Sequence, residues 1–273
     1  HERGKVTADA AIGLDGSLWD RVRKFAKLDP RETKRAQGDA ERLAPELRAW
    51  ARAHIEAIPL DYGVFALMVD QERLAGRAPP TRLADLLQLR FKRSLILEDP
   101  RTSTPGLAFV LLTYAVLGEE KFVEYWKQLR STWLTLAPGW DGAYSLFMKG
   151  EAPLVWSYTS SQAYHEEHGD KPEARRYRAI VFKDGNPLQI EYAILLAASQ
   201  NPQVERLGRF LIRADIQTEI ARRSYMLPAR ADAGIGNAMV RLPKALHVVP
   251  LLEHQKRIQE VLKIWERVVE TGK

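Results

Sequence analysis

The residues with chemical reach cluster in one string of hydroxyls and turn formers, Asp99-Pro100-Arg101-Thr102-Ser103-Thr104-Pro105-Gly106. Residues 94–97 before it read as a short apolar strand, and residues 107–117 after it as a helix stopped at Gly118. Thr104 suits the N-cap and Pro105 the first turn, where its missing N–H costs nothing. The amides of Gly106 and Leu107 are then expected to be unpaired and to face outward. With the helix dipole and the hydroxyls they would receive a phosphate, a carboxylate or a polar ligand edge. On this stretch alone the balance tips towards a capped helix with nothing bound.

Aromatic side chains stand beside turns and strand ends. Trp140 lies in a Pro-Gly-Trp turn, Tyr158 closes a strand, Tyr164 follows a run of hydroxyls, and Tyr225 sits in a break between helices. Singly each reads as packing; together they could wall a cleft for a flat, cationic ligand held by stacking. Asp15, Asp61 or Glu191 could supply opposite charge, with Asp15 first because it ends a strand, where α/β sheets place their ligand crevices. His165-Glu-Glu-His168 lacks the His-Glu-x-x-His spacing and a third ligand, and reads as a solvated helix end. The nucleophile elbow, phosphate loop and dinucleotide glycine patterns are missing, so nothing in the sequence argues for catalysis.

These residues need a scaffold, and 273 residues suffice for one large domain or two lobes. The balance of 41 basic against 35 acidic residues leaves a net charge of +6, spread in short clusters among acids. That pattern supports a general attraction to anions and argues against a nucleic-acid partner. Without cysteine there are no disulfides, thiolate metal sites or cysteine nucleophiles. The periodicity predicts strands at 8–14, 61–70, 94–97, 134–137, 154–158, 179–182 and 188–196. Helices are expected over much of 30–57, then at 119–130, 143–149, 201–212, 216–220 and 255–269. This alternation points to an α/β class with a mostly parallel sheet.

Read in order, Asp99-Pro-Arg-Thr-Ser-Thr-Pro-Gly-Leu107, Pro138-Gly-Trp140, Ala143-Tyr144 and Lys149-Gly-Glu151 resemble the periplasmic thiamine-binding proteins of ABC importers. Ser157-Tyr-Thr-Ser-Ser161, Ala163-Tyr-His165 and Leu188-Gln-Ile-Glu191 continue the resemblance, which covers nearly the whole chain. It implies a two-lobe α/β periplasmic-binding-protein-like (type II) fold that closes on its ligand by a hinge, with strands 61–70 and 188–196 crossing between lobes. Lobe 1 would comprise 1–63 and 190–273, its last helix free to pack across lobes, and lobe 2 would comprise 64–189. The resemblance puts the hydroxyl or phosphate end of thiamine on Ser103, Thr104, Gly106 and the helix start, beside Trp140 and Tyr158. It stacks the ring system on Tyr164, keeps an aromatic face at Tyr225 and aligns Asp15 with a strand-end aspartate.

Ser224-Tyr225-Met226-Leu227-Pro228 departs from the family's Asn-Trp-Met-Tyr-Pro segment. The family's first strand–helix–strand unit, with its ring-contacting loop, is expected before Asp15 and has no counterpart in this sequence. The resemblance implies an extracytoplasmic monomer, without cofactor, that hands thiamine or a thiamine phosphate to an ABC permease. Within the same fold the solute could be iron, a polyamine or an organic anion. From other classes, a phosphoryl- or acyl-transfer enzyme using 102–106, or an effector-sensing domain, stays open.

Overall fold

A computed structural model describes residues 8–26, 40–169, 176–249, 251 and 257–271. Its strands are β1 (Ala10–Asp15), β2 (Ile58–Asp70), β3 (Leu95–Glu98), β4 (Trp133–Ala137), β5 (Leu154–Tyr158), β6 (Tyr177–Ile180) and β7 (Asn186–Leu195), followed by the short β8 (Leu227–Pro228) and β9 (Val248–Val249). The longer helices are α1 (Pro45–Ala53), α2 (Thr104–Leu129), α3 (Trp140–Met148), α4 (Ser160–His168), α5 (Val204–Leu211), α6 (Ala214–Ser224) and α7 (Ile258–Thr271). Part of the helix expected over 30–57 lies outside the described residues, and α1 is what the described part retains.

The chain divides into two compact units, 1–63 with 189–237 and 64–188 with 238–273. The changes from one unit to the other at 63/64 and 188/189 fall inside β2 and β7, the segments expected to cross between lobes. The C-terminal segment, whose last helix is expected to be free to pack across lobes, clusters with the second unit. α7 belongs to the second unit, because its Trp265 meets Trp126 of α2 edge-on at 5.8 Å and Val261, Trp265 and Val268 join that unit's core.

In the first unit β1 pairs antiparallel with β7, setting Asp15 opposite Glu191, and β8 pairs antiparallel with the start of β2. Trp19, Trp50, His54 and Tyr192 form its aromatic core, with the Trp50 and His54 rings stacked at 4.5 Å. In the second unit β3 lies between β4 and β5, parallel to both, while β2 runs antiparallel to β5 and β6. The sheet is therefore mixed: β4-β3-β5 and the short β7-β9 pair are parallel, whereas β2 with β5, β6 and β8, and β7 with β1, are antiparallel. Parallel neighbours require helical crossovers, and α2 and α3 supply them.

Strand alternation sorts the second unit's core. Leu95, Leu97, Leu154 and Trp156 face α2 and α7, whereas Ile96 and Val155 face α3 with Ala137, Ala143 and Phe147. α2 is two helical runs, since Gly118 (φ 73°, ψ 167°) breaks the helix where the sequence predicts a stop. Burial of the apolar and aromatic residues of α2, on the order of 2 kcal/mol each, anchors it on the strands.

Candidate functional site

β3, β4 and β5 end at one edge of the parallel part, and each is followed by a helix start. α2 begins at Thr104, α3 at Trp140 and α4 at Ser160. The C-terminal edge of parallel strands is where α/β sheets keep their ligands, and helix N-termini present N–H groups and positive dipole ends.

The first of these starts differs from expectation by one residue. Ser103, not Thr104, is the N-cap, with extended φ −130° and ψ 127°. Its hydroxyl accepts from the Gly106 amide at 3.4 Å and its carbonyl from the Leu107 amide at 2.9 Å. The two amides expected to face a ligand are thus already used. Thr104 is the first helical residue. Gly106 is required for packing, because a Cβ there would run into the carbonyl oxygen of Glu98. Thr102 Oγ1 donates to the Pro138 carbonyl at 2.7 Å, joining this loop to the one before α3, and Trp156 Nε1 donates to the Pro105 carbonyl at 3.1 Å. The other two helix starts are more open: neither Gly139 before α3 nor Thr159 before α4 makes a side-chain capping bond.

Around these two starts runs a hydrogen-bonded aromatic cluster. Trp140 stacks on Tyr144 at 4.9 Å and lies 6.4 Å from Tyr158, which stacks on Phe65 at 4.7 Å. Trp140 Nε1 donates to Ser157 Oγ at 2.8 Å, and Ser157 Oγ pairs with Ser161 Oγ at 2.9 Å. The Tyr144 hydroxyl pairs with His165 Nε2 at 2.8 Å. Burial pushes the Tyr144 hydroxyl above the ordinary phenol range and the His165 imidazole down to about 4, so both are neutral at pH 7. His165, expected at a solvated helix end, is instead buried between Tyr144 and Tyr177, with the Tyr177 ring 4.3 Å away. His168 is exposed and stacks on Tyr164 at 4.7 Å, and Tyr164 is itself 47% exposed.

Glu98 ends β3, with register partner Ala137, on the face that carries Ile96. It is 2% exposed, both carboxyl oxygens lack a hydrogen-bond partner among the described residues, and burial holds its pKa well above the ordinary range. Burial therefore favours its protonated, uncharged form at the same strand edge.

The structure places Ser103, Thr104, Gly106, Trp140, Tyr158 and Tyr164 in the second unit and Asp15 and Tyr225 in the first. Asp15 accepts from the Ser17 amide at 2.8 Å and caps a short turn. Burial raises its carboxyl, burial with Asp15 raises Glu191, and burial with Glu191 raises Asp61 to about 8. Tyr225 caps the C-terminus of α6 in the left-handed region at φ 54°.

Sequence reasoning misses Tyr144, Ser157, Ser161 and His165. A signal is there to be found: 140 and 144, and 161 and 165, stand four apart on helices, the spacing that brings side chains together, and 157 precedes 161 by the same interval.

Known proteins resemble this chain in sequence and fold. The family of bacterial extracellular solute-binding proteins matches residues 24–246. The chain is 38% identical over 250 residues to the thiamine-binding periplasmic protein of Brucella melitensis biotype 1, covering 91% of this chain and 69% of that protein. It is 35% identical over 271 residues to the thiamine-binding periplasmic protein of Escherichia coli (strain K12), covering 96% and 76%. A solved periplasmic thiamin binding protein superposes with a TM-score of 0.81 at 31% identity, covering 97% of this chain and 79% of that one. A ferric binding protein from Campylobacter jejuni shares the fold at a TM-score of 0.75 and 14% identity, covering 98% of this chain and 85% of that one. With its parallel strands ending beneath three helix starts and its likeness running through nearly the whole sequence, the chain belongs to the bacterial extracellular solute-binding proteins.

Proposed function

We propose that this protein captures thiamine or a thiamine phosphate outside the cytoplasm and delivers it to an ABC permease. The single observation that carries the reading is the meeting, at the edge of β4-β3-β5, of two uncapped helix starts with the Trp140–Tyr144–Tyr158 aromatic cluster. Thiamine has an aromatic ring system at one end and a hydroxyl or phosphate at the other, and this edge offers stacking faces beside N–H donors. The identity to thiamine-binding relatives, 32–38%, supports the same ligand. Those relatives are binding proteins, and the reading assigns no catalytic step to this chain.

On this reading the starts of α3 and α4 receive the ligand's oxygen end, with Ser103 and Thr104 beside them. Trp140, Tyr158 and the exposed Tyr164 give the aromatic surface. Gly106 contributes by letting α2 close on β3. The test is a tryptophan-fluorescence titration with thiamine and with thiamine monophosphate, repeated for Trp140→Phe. Saturable quenching that weakens in Trp140→Phe is expected. No change with either ligand, in protein that stays folded by circular dichroism, refutes the reading.

A further inference from the structure

Glu98, the last residue of β3, is buried with both carboxyl oxygens unpartnered among the described residues. An ionised carboxylate in such a place is costly, so the group is an acid with a proton to give. Strand alternation turns its side chain to the face of Ile96, towards α3. On one side its register partner is Ala137, whose methyl group lies 3.9 Å from where a Cβ on Gly142 would stand, in the first turn of α3. On the other side β3 runs parallel to β5 with Ile96 beside Val155. Two residues on, that register sets Glu98 level with Ser157, which accepts the indole N–H of Trp140. The acid thus stands beneath the first turn of α3. Among the described residues, the Ala143 amide is the first of that helix to bond, to the Gly139 carbonyl at 3.1 Å. The amides of Trp140, Asp141 and Gly142 face out of the helix end, and Gly139 makes no side-chain cap. Asp141 and Gly142 are exposed, so solvent reaches this end.

We propose that Glu98 is a specificity-determining residue whose acid O–H donates to a phosphate oxygen of the ligand at the start of α3, while the amides of that turn hold the other oxygens. This rests on the reading of the protein as a binder of thiamine or its phosphates, and it makes the phosphate ester the preferred form. A phosphate ester carries about 1.5 to 2 negative charges at pH 7, and its terminal oxygens accept hydrogen bonds. A neutral acid beside it donates a charge-assisted bond, where a carboxylate would repel it. The hydroxyl of thiamine can accept the same proton, but in a bond between neutral groups, roughly half as strong. A turn about the Glu98 side-chain torsions carries the O–H from its buried position to the helix end. The neighbouring groups leave its proton alone. Asp99 is held by Arg101 at 2.6 Å, Asp141 is exposed, and Tyr144 and His165 are neutral and paired with each other. Burial supports the acid form, and no charged group among the described residues adds to it.

The test is titration calorimetry of wild type, Glu98→Gln and Glu98→Met with thiamine and with thiamine monophosphate, joined to infrared difference spectra of the same samples. Both replacements keep close to the volume of glutamate, and circular dichroism checks that they fold. Glu98→Gln keeps a donor and cannot ionise, so it should bind the monophosphate within about threefold of wild type. Glu98→Met has no donor and should lower affinity for the monophosphate about tenfold or more, and affinity for thiamine less. In the infrared, the acid carbonyl band that disappears in Glu98→Gln should move to lower frequency when the monophosphate binds. Equal losses for the two ligands in Glu98→Met, no loss for either, a Glu98→Gln as weak as Glu98→Met, or a carbonyl band that stays in place overturns the inference alone. Binding of thiamine without binding of the monophosphate does the same and leaves the thiamine reading standing. Absence of heat with both ligands, from folded wild type, overturns the binding reading and this inference with it.

Discussion

Asp61 should make the protein lose stability as pH rises, and replacing it should reverse the loss. The side chain is 3% exposed on β2, its Oδ1 has no hydrogen-bond partner among the described residues, and Glu191 adds like charge nearby. Burial and that repulsion raise its pKa from 3.8 to about 8. The native chain therefore keeps a proton that the unfolded chain releases near pH 4. A group raised in this way favours the native state fully below pH 4, and the contribution is lost as pH climbs through the window up to about 8. Each tenfold difference in proton affinity is worth about 1.4 kcal/mol, so by pH 7 the loss reaches about 4 kcal/mol. Asp61→Asn has no proton to lose. Its advantage over wild type should be small at pH 4.5, grow steadily to pH 7, and level off above pH 8. Urea unfolding of both proteins at pH 4.5, 6, 7 and 8 measures this. A difference that does not change with pH, or a wild type more stable than Asp61→Asn at pH 7, would refute the reasoning.

Gly106→Ala forces a methyl group onto the Glu98 carbonyl and should cost about 1–3 kcal/mol, read as a lower midpoint of denaturation. Ser103→Ala removes the N-cap of α2, costs about 1 kcal/mol of stability, and weakens thiamine monophosphate more than thiamine; equal losses in calorimetry would contradict the ligand assignment. Trp265→Ala empties the contact with Trp126 and should cost about 3–5 kcal/mol by urea unfolding, since α7 packs on α2.

Much of the second unit is legible in the sequence because its strands are short apolar runs ended by turn formers, and its helices start at proline, glycine or hydroxyl residues. The string at 99–106 stands out for that reason, and Gly118 marks the break in α2. The cap falls one residue before the expected place because Thr102, Ser103 and Thr104 are equally good caps in isolation; the Asp99 carbonyl, which takes both the Thr102 and Ser103 amides, decides among them. The mixed sheet is hidden because strand direction is set by pairing across long separations, such as Phe65 with Tyr158. The place of α7 is hidden for the same reason: its amphipathic pattern shows that one face is covered, and only the meeting of Trp126 with Trp265 shows by what. Tyr144, Ser157, Ser161 and His165 look like ordinary packing residues until a neighbouring strand and helix bring their polar atoms within hydrogen-bond distance, 2.8 Å for Tyr144 with His165 and 2.9 Å for Ser157 with Ser161.

On the proposed function, the strand edge bearing Trp140, Tyr158 and the starts of α3 and α4 serves a thiamine-class ligand. Titration calorimetry of the intact protein with thiamine and thiamine monophosphate decides the matter. Saturable heat at one ligand per chain is expected for at least one of the two, reduced by Trp140→Ala and by Ser161→Ala. Heat that neither substitution alters, or none with either ligand from folded protein, would contradict it.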